Sequence, residues 1–176
     1  MPRYVAFLRA INVGGHTVPM GRLVELFEAL ELGEISTFIA SGNVVFSSKA
    51  RPAMLERQLD RHLHAELGYP AEAFVRSLPE LQEVLDVQAF PAGEVAHAHA
   101  LMIGFLREEP SAAVQAAVGA LAGPTDRLVV QGRELHWLRS VQESDPKLAK
   151  QLERALGGPM TVRNVNTVRR IVAKFG

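Results

Sequence analysis

The chain contains no cysteine. Disulfides, thiolate zinc sites and thiol nucleophiles are therefore excluded. Aromatic residues make up only 6%, with a single tryptophan, which leaves little material for a base-stacking platform. Neither sign of charge is in excess. The 19 Lys and Arg balance 19 Asp and Glu, which argues against a protein that holds nucleic acid mainly by charge. No apolar run approaches the ~20 residues that span a bilayer. The opening "MPRYVAFLRAI" has no small-residue cleavage site and reads as a strand, not a signal peptide. A soluble cytoplasmic protein with no membrane partner is expected.

What the sequence does have is core material: 48% of 176 residues are hydrophobic, enough for one domain or two small ones. "RYVAFLRAI" is rich in β-formers and reads as a strand. "PMGRLVELFEALEL" places Leu23, Leu26, Phe27 and Leu30 at helical spacing, with Pro19 at the start and Gly33 as a stop. "EISTFIA" and "NVVFSS" are strands joined across Ser41-Gly42. "RPAMLERQLDRHLHAELG" is a helix, "AEAFVRS" a strand and "LPELQEVLDV" a short helix. The order is βαββαβ with one extra helix.

The second half repeats that order. "HALMIGFLR" is a strand and "PSAAVQAAVGAL" a helix. "DRLVVQGRELHWLR" is a hairpin turning at Gln131-Gly132, and "DPKLAKQLERALG" is a helix capped by Asp145. "MTVRN" and "VNTVRRIVAKF" close the chain as strand and helix. "AFLR" (6–9) echoes "GFLR" (104–107), and "FVRSLPELQEVL" (74–85) echoes "TVRNVNTVRRIV" (161–172), so that Arg76 aligns with Arg163. Shared order and both echoes indicate an internal duplication. The predicted fold is α+β: two tandem ferredoxin-like α/β plaits with antiparallel sheets and extra helices. The first occupies residues 1–90 and the second 97–176, with a linker at "VQAFPAGEVAH" (87–97). The first strand is apolar on both faces, so both are expected to be covered. Candidate covers are the extra helices, the other repeat, or a second subunit, which would make the protein a homodimer.

Three motifs make a resemblance specific: "LRAINVGG", "TFIASGNVVFSS" and "TVRNVNTVRRI", in that order and spacing. On these the chain resembles the bacterial domain of unknown function 1697 family. The resemblance implies paired α/β-plait units and the location of a site, and it implies no reaction. The family pattern usually reads R-G-I-N-V-G-G, T-Y-I-Q-S-G-N and R-N-W-N-T. Here Ala10 stands for the first glycine, Phe38 for the tyrosine, Ala40 for the glutamine and Val165 for the tryptophan.

In a βαββαβ unit the first two strands run parallel, so "NVGGH" and "SGN" should meet at one sheet edge. That edge collects Asn12, Gly14, Gly15, His16, Ser41, Gly42 and Asn43. Backbone N–H groups beside glycines can hold an anion. The same residues also suit plain turn geometry, with positive φ at the glycines and Asx bonds from Asn12 or Asn43. "RNVNT" brings Arg163, Asn164 and Asn166 to a strand-to-helix junction. There they would contact a ligand, or Asn164 or Asn166 would serve as an N-cap. Arg163 and Asn164 join the first edge only if the repeats are related by a pseudo-twofold. Residues 139–176 carry 8 Lys and Arg against 3 Asp and Glu, which suits a phosphate or carboxylate partner as well as a solvated basic face.

Catalytic residues are unassigned. Ser41 with His16 lacks a carboxylate to orient the imidazole. His97 and His99, read as one strand face, lack a third ligand, so no metal site is expected. No cofactor is implied. The leading expectation is a protein that binds, or acts on, a small anionic or phosphate-containing ligand at the INVGG/SGN edge. The alternatives are a single-stranded-RNA-binding plait and an interaction or assembly module without catalysis.

Overall fold

The computed structural model describes all residues except Val13, Ala40 and Ser41. The element order is β1 (Arg3–Arg9), α1 (Met20–Glu28), β2 (Gly33–Thr37), β3 (Asn43–Ser47), α2 (Pro52–Leu67), β4 (Glu72–Ser77) and α3 (Leu78–Asp86). After α4 (Ala92–His97) it continues as β5 (Ala100–Phe105), α5 (Ala112–Gly119), β6 (Asp126–Gln131), β7 (Glu134–Arg139), α6 (Pro146–Leu156), β8 (Thr161–Asn164) and α7 (Val165–Phe175). Among the described residues this is a mixed α+β fold with two four-stranded antiparallel sheets and seven helices. The sheet orders are β2-β3-β1-β4 and β6-β7-β5-β8, the same order twice. That layout fits a duplicated unit.

Local chemistry accounts for most boundaries. Pro52 opens α2 at its first turn, and Gly68 closes it in the left-handed region at φ 80°. Asp145 caps α6 by accepting from the Lys147 N–H, Pro146 follows it, and Gly157 closes the helix at φ 74°. Three expectations are corrected. The stretch 87–97 is not all linker, because Ala92–His97 forms α4 behind Pro91. His97 therefore ends a helix and does not share a strand face with His99. Gly33 does not stop α1 but opens β2; Glu31, at φ 60°, makes the left-handed turn after the helix.

The chain divides into two compact units. The first comprises residues 1–82 and 171–176; the second comprises 83–170. This differs from a linear division at 1–90 and 97–176, because both α3 and α7 change units part-way along. The final residues are tied into the first unit by Phe175, whose carbonyl accepts from Arg3 and whose ring meets Phe38 edge-on.

In the first unit, alternate residues Tyr4, Ala6 and Leu8 of β1 and Val44 and Phe46 of β3 face Leu23, Leu26 and Phe27 of α1. Leu55, Leu59 and Leu63 of α2 complete that core. The second unit builds its core from Leu135, Trp137, Val118, Leu148 and Leu152. The intervening residues of β1, Val5 and Phe7, are also fully buried, as apolarity on both faces predicts.

The match between the two sheets extends to single side chains. Ser36, Val45, Val5 and Arg76 make one row across the first sheet. Val129, His136, Ile103 and Arg163 make the matching row in the second. Both arginines donate from Nη1 to the carbonyl of the preceding residue, at 3.0 Å each. The helices that follow β4 and β8 are capped at matching positions. Ser77 and Glu80 form a reciprocal capping box, and the Asn164 carboxamide oxygen accepts from the Asn166 N–H.

Asp126 holds the second unit together at one corner. Its carboxylate accepts from Trp137 Nε1 and Thr125 Oγ1 at 2.8 Å and from Ser144 Oγ at 2.5 Å. Burial raises its pKa, but hydrogen bonds from Ser144, Trp137 and Thr125 and the charge of Arg139 outweigh that, and the group sits below its usual range. A carboxylate held low when folded adds stability above the unfolded pKa, about 3.9, and that stability is lost as the pH falls through the folded value. Asp126→Asn should therefore destabilise the unit by about 1.5–3 kcal/mol at neutral pH. The gap to wild type should narrow below about pH 4. Urea melts followed by the single tryptophan would read both effects.

Candidate functional site

Strand β1 ends beside the hairpin that joins β2 and β3. The Leu8 N–H donates to the Gly42 carbonyl at 2.8 Å, and Phe7 pairs with Asn43. The parallel-strand argument thus brings the end of β1 to Gly42 and Asn43. The chain leaves β1 through Ala10, at φ 61°, and then Ile11 and Asn12. Gly14 and Gly15 follow at φ 60° and 81°, both exposed. Two successive left-handed residues are tolerated there because neither carries a Cβ.

Asn12 and Asn43 both take structural bonds. The Asn12 side-chain oxygen accepts from the Val18 N–H at 2.9 Å and closes the loop that contains the glycines. Asn43 is only 4% exposed. Its Nδ2 donates to the carbonyls of Phe38 and Ile39, at 3.0 and 2.9 Å, and holds the hairpin together. Ser41 lies outside the described residues. Asn43→Ala should cost about 1–3 kcal/mol through two lost hydrogen bonds, read as a lower urea midpoint.

Ala10 occupies a conformation that a Cβ disfavours by roughly 1–2 kcal/mol. Ala10→Gly should relieve that strain and, after the added freedom of the unfolded chain, stabilise the protein by up to about 1 kcal/mol. A thermal melt that moved down would contradict this.

Three neighbours that sequence reading did not assign to the edge, Tyr69, Phe38 and Lys174, give it its character. His16, which was assigned to it, stacks on Tyr69, with ring centroids 4.2 Å apart. The Tyr69 hydroxyl donates to the Ile11 carbonyl at 2.7 Å, fixing that ring under the loop. At the hairpin, the exposed Lys174 places its ammonium 5.1 Å from the Phe38 ring centroid. Lys174 is far away in sequence, and only the return of residues 171–176 to the first unit reveals it.

Arg163, Asn164 and Asn166 belong to the second unit. Arg163 donates to Thr161 Oγ1 at 2.8 Å and to the Val162 carbonyl, and burial pushes its pKa down to about 10. It is charged at neutral pH. Asn164 caps α7, and the exposed Asn166 accepts from Arg169 at 3.1 Å. Among the described residues no group of three or more His, Asp or Glu could hold a metal ion, and no helix is long and apolar enough to cross a membrane.

Two matched antiparallel sheets, with a glycine-bearing edge on the first, define a mixed α+β protein whose layout fits a duplicated unit. The chain belongs to the family described as protein of unknown function (DUF1697), whose model matches residues 1–136. Over 99% of its length it is similar to the conserved bacterial protein SP0830 from Streptococcus pneumoniae. The match covers 98% of that chain, with 26% identity and a TM-score of 0.76. No curated protein matches the chain.

Proposed function

We propose that each unit is a ferredoxin-like plait and that the INVGG/SGN edge of the first binds a small anionic, phosphate-containing ligand. The sheet order β2-β3-β1-β4 supports the plait reading, since a split βαβ unit places its first strand between its third and fourth. The observation that carries the site is the exposed pair Gly14 and Gly15, both left-handed, on the connection that leaves β1. Successive backbone N–H groups in such a turn suit an anion. The ammonium of Lys174 beside Phe38 adds charge of the right sign, and the His16–Tyr69 stack offers a ring surface for a base. Asn43 serves the site by shaping the hairpin. Burial of Val5, Phe7 and Val45 favours this reading over single-stranded RNA, which stacks on exposed aromatic side chains.

Amide chemical-shift mapping with inorganic phosphate and a panel of nucleotides tests the proposal. Shifts at residues 12, 14–16 and 42–43 that weaken in Lys174→Ala are expected. If no phosphate compound moves these amides, the glycines are turn residues only. If oligoribonucleotides alone move them, the RNA reading replaces this one.

A further inference from the structure

Leu30, two residues past α1, and the outer side of α2 line a groove of about 530 Å³ that lies wholly within the first unit. Met54 of α2 supplies apolar surface with Leu30 and is 53% exposed. A single exposed methionine is ordinary. The charges around this one are less so.

Arg57 and Arg61 line the same groove. Both are exposed and stand one helical turn apart, and among the described residues neither side chain has a hydrogen-bond or ion-pair partner. Like charges four residues apart weaken a helix. Glu28 and Glu31, on either side of Leu30 in the chain, are exposed carboxylates whose side chains also lack a partner among the described residues. The same two helices do pair charge elsewhere: Arg22 of α1 meets Glu25 and Glu66 at 3.5 Å each.

Free acids at the end of α1 and free arginines on α2 make the patch self-complementary. A twofold axis brings residue i of one copy to residue j of the other, and j to i. The acids of each copy then answer the arginines of the other. An acidic peptide would satisfy the arginines and leave Glu28 and Glu31 without partners; a basic peptide would do the reverse.

We propose that this face pairs with a second copy of the chain about a twofold axis. Glu28 and Glu31 of each copy meet Arg57 and Arg61 of the other, and Leu30 and Met54 are buried at the centre. The charges set partner and register, and the apolar centre supplies affinity. The inference is independent of the glycine edge.

Sedimentation velocity on the full chain tests it between about 10 µM and about 1 mM, where small interfaces associate. A concentration-dependent dimer that weakens with added salt is expected. Arg57→Glu/Arg61→Glu should fold, as read by circular dichroism, and dimerise at least about tenfold more weakly, as should Glu28→Arg/Glu31→Arg. Mixing these two variants in equal amounts should restore a dimer with one copy of each, because one presents only acids and the other only arginines. A general loss of structure would not be rescued in this way. Met54→Asp, a single change at an exposed position, should weaken the dimer by a similar factor. The proposal is overturned if the wild type is monomeric throughout the range, or if the mixture of reversed variants does not associate. It also fails if either charge reversal or Met54→Asp leaves the dimer intact.

Discussion

Arg76→Met should destabilise the protein by about 3–5 kcal/mol, the largest loss expected from any single charge removal here. Arg76 is fully buried, and its guanidinium lies 3.8 Å from the buried carboxylate of Glu56. Glu56 also accepts from the Val75 N–H at 2.9 Å, so α2 and β4 meet around one buried charge pair. Methionine keeps most of the volume and removes the positive charge. It leaves the Glu56 carboxylate in a low-dielectric site without its counter-charge, which is the expensive half of a broken pair. The double variant Arg76→Met/Glu56→Leu should recover part of the loss, because two apolar groups can replace a buried pair at little net cost. Urea denaturation of wild type, both single variants and the double would close the cycle. A single-variant loss below about 1 kcal/mol would rule out this role for the pair.

Leu26→Ala should cost about 2–5 kcal/mol. Leu26 is 1% exposed and sits in the core that α1 and α2 share with the first sheet. Truncation loses transfer energy and leaves a cavity that close-packed neighbours only partly fill. Glu25, one residue earlier, has a side chain 68% exposed, and its replacement by alanine should stay within about 0.5 kcal/mol. A urea midpoint unmoved by Leu26→Ala would mean that α1 does not present this face to the sheet.

The candidate edge was readable in part. Asn-x-Gly-Gly after a β-rich run and Ser-Gly-Asn between two such runs are turn signals, and βαββαβ order places both at one end of a sheet. The bond from Leu8 to Gly42 follows from that topology. The role of Asn43 was open between ligand contact and turn, because both use the same carboxamide. Burial decides which, and Asn43 is buried with its nitrogen given to two carbonyls. Ala10 shows a different limit. A left-handed alanine has no local sequence signature, and the backbone is held there by what surrounds it.

The sequence by itself determined every element but α4, and the repetition of their order. These rest on local chemistry: proline and glycine at helix ends, alternation in strands, and the aligned arginines 76 and 163, which make the same backbone bond in both sheets. Tertiary structure alone decided which polar side chains lie buried and which distant segments meet. It broke the linear domain boundary inside α3, returned Lys174 and Phe175 to the first unit, and set Leu30 in one groove with Met54, Arg57 and Arg61. The physical reason is that hydrogen-bond geometry and backbone preference act within a few residues of sequence. Burial depends on which surface packs against a face, and periodicity marks a face as apolar without naming its cover.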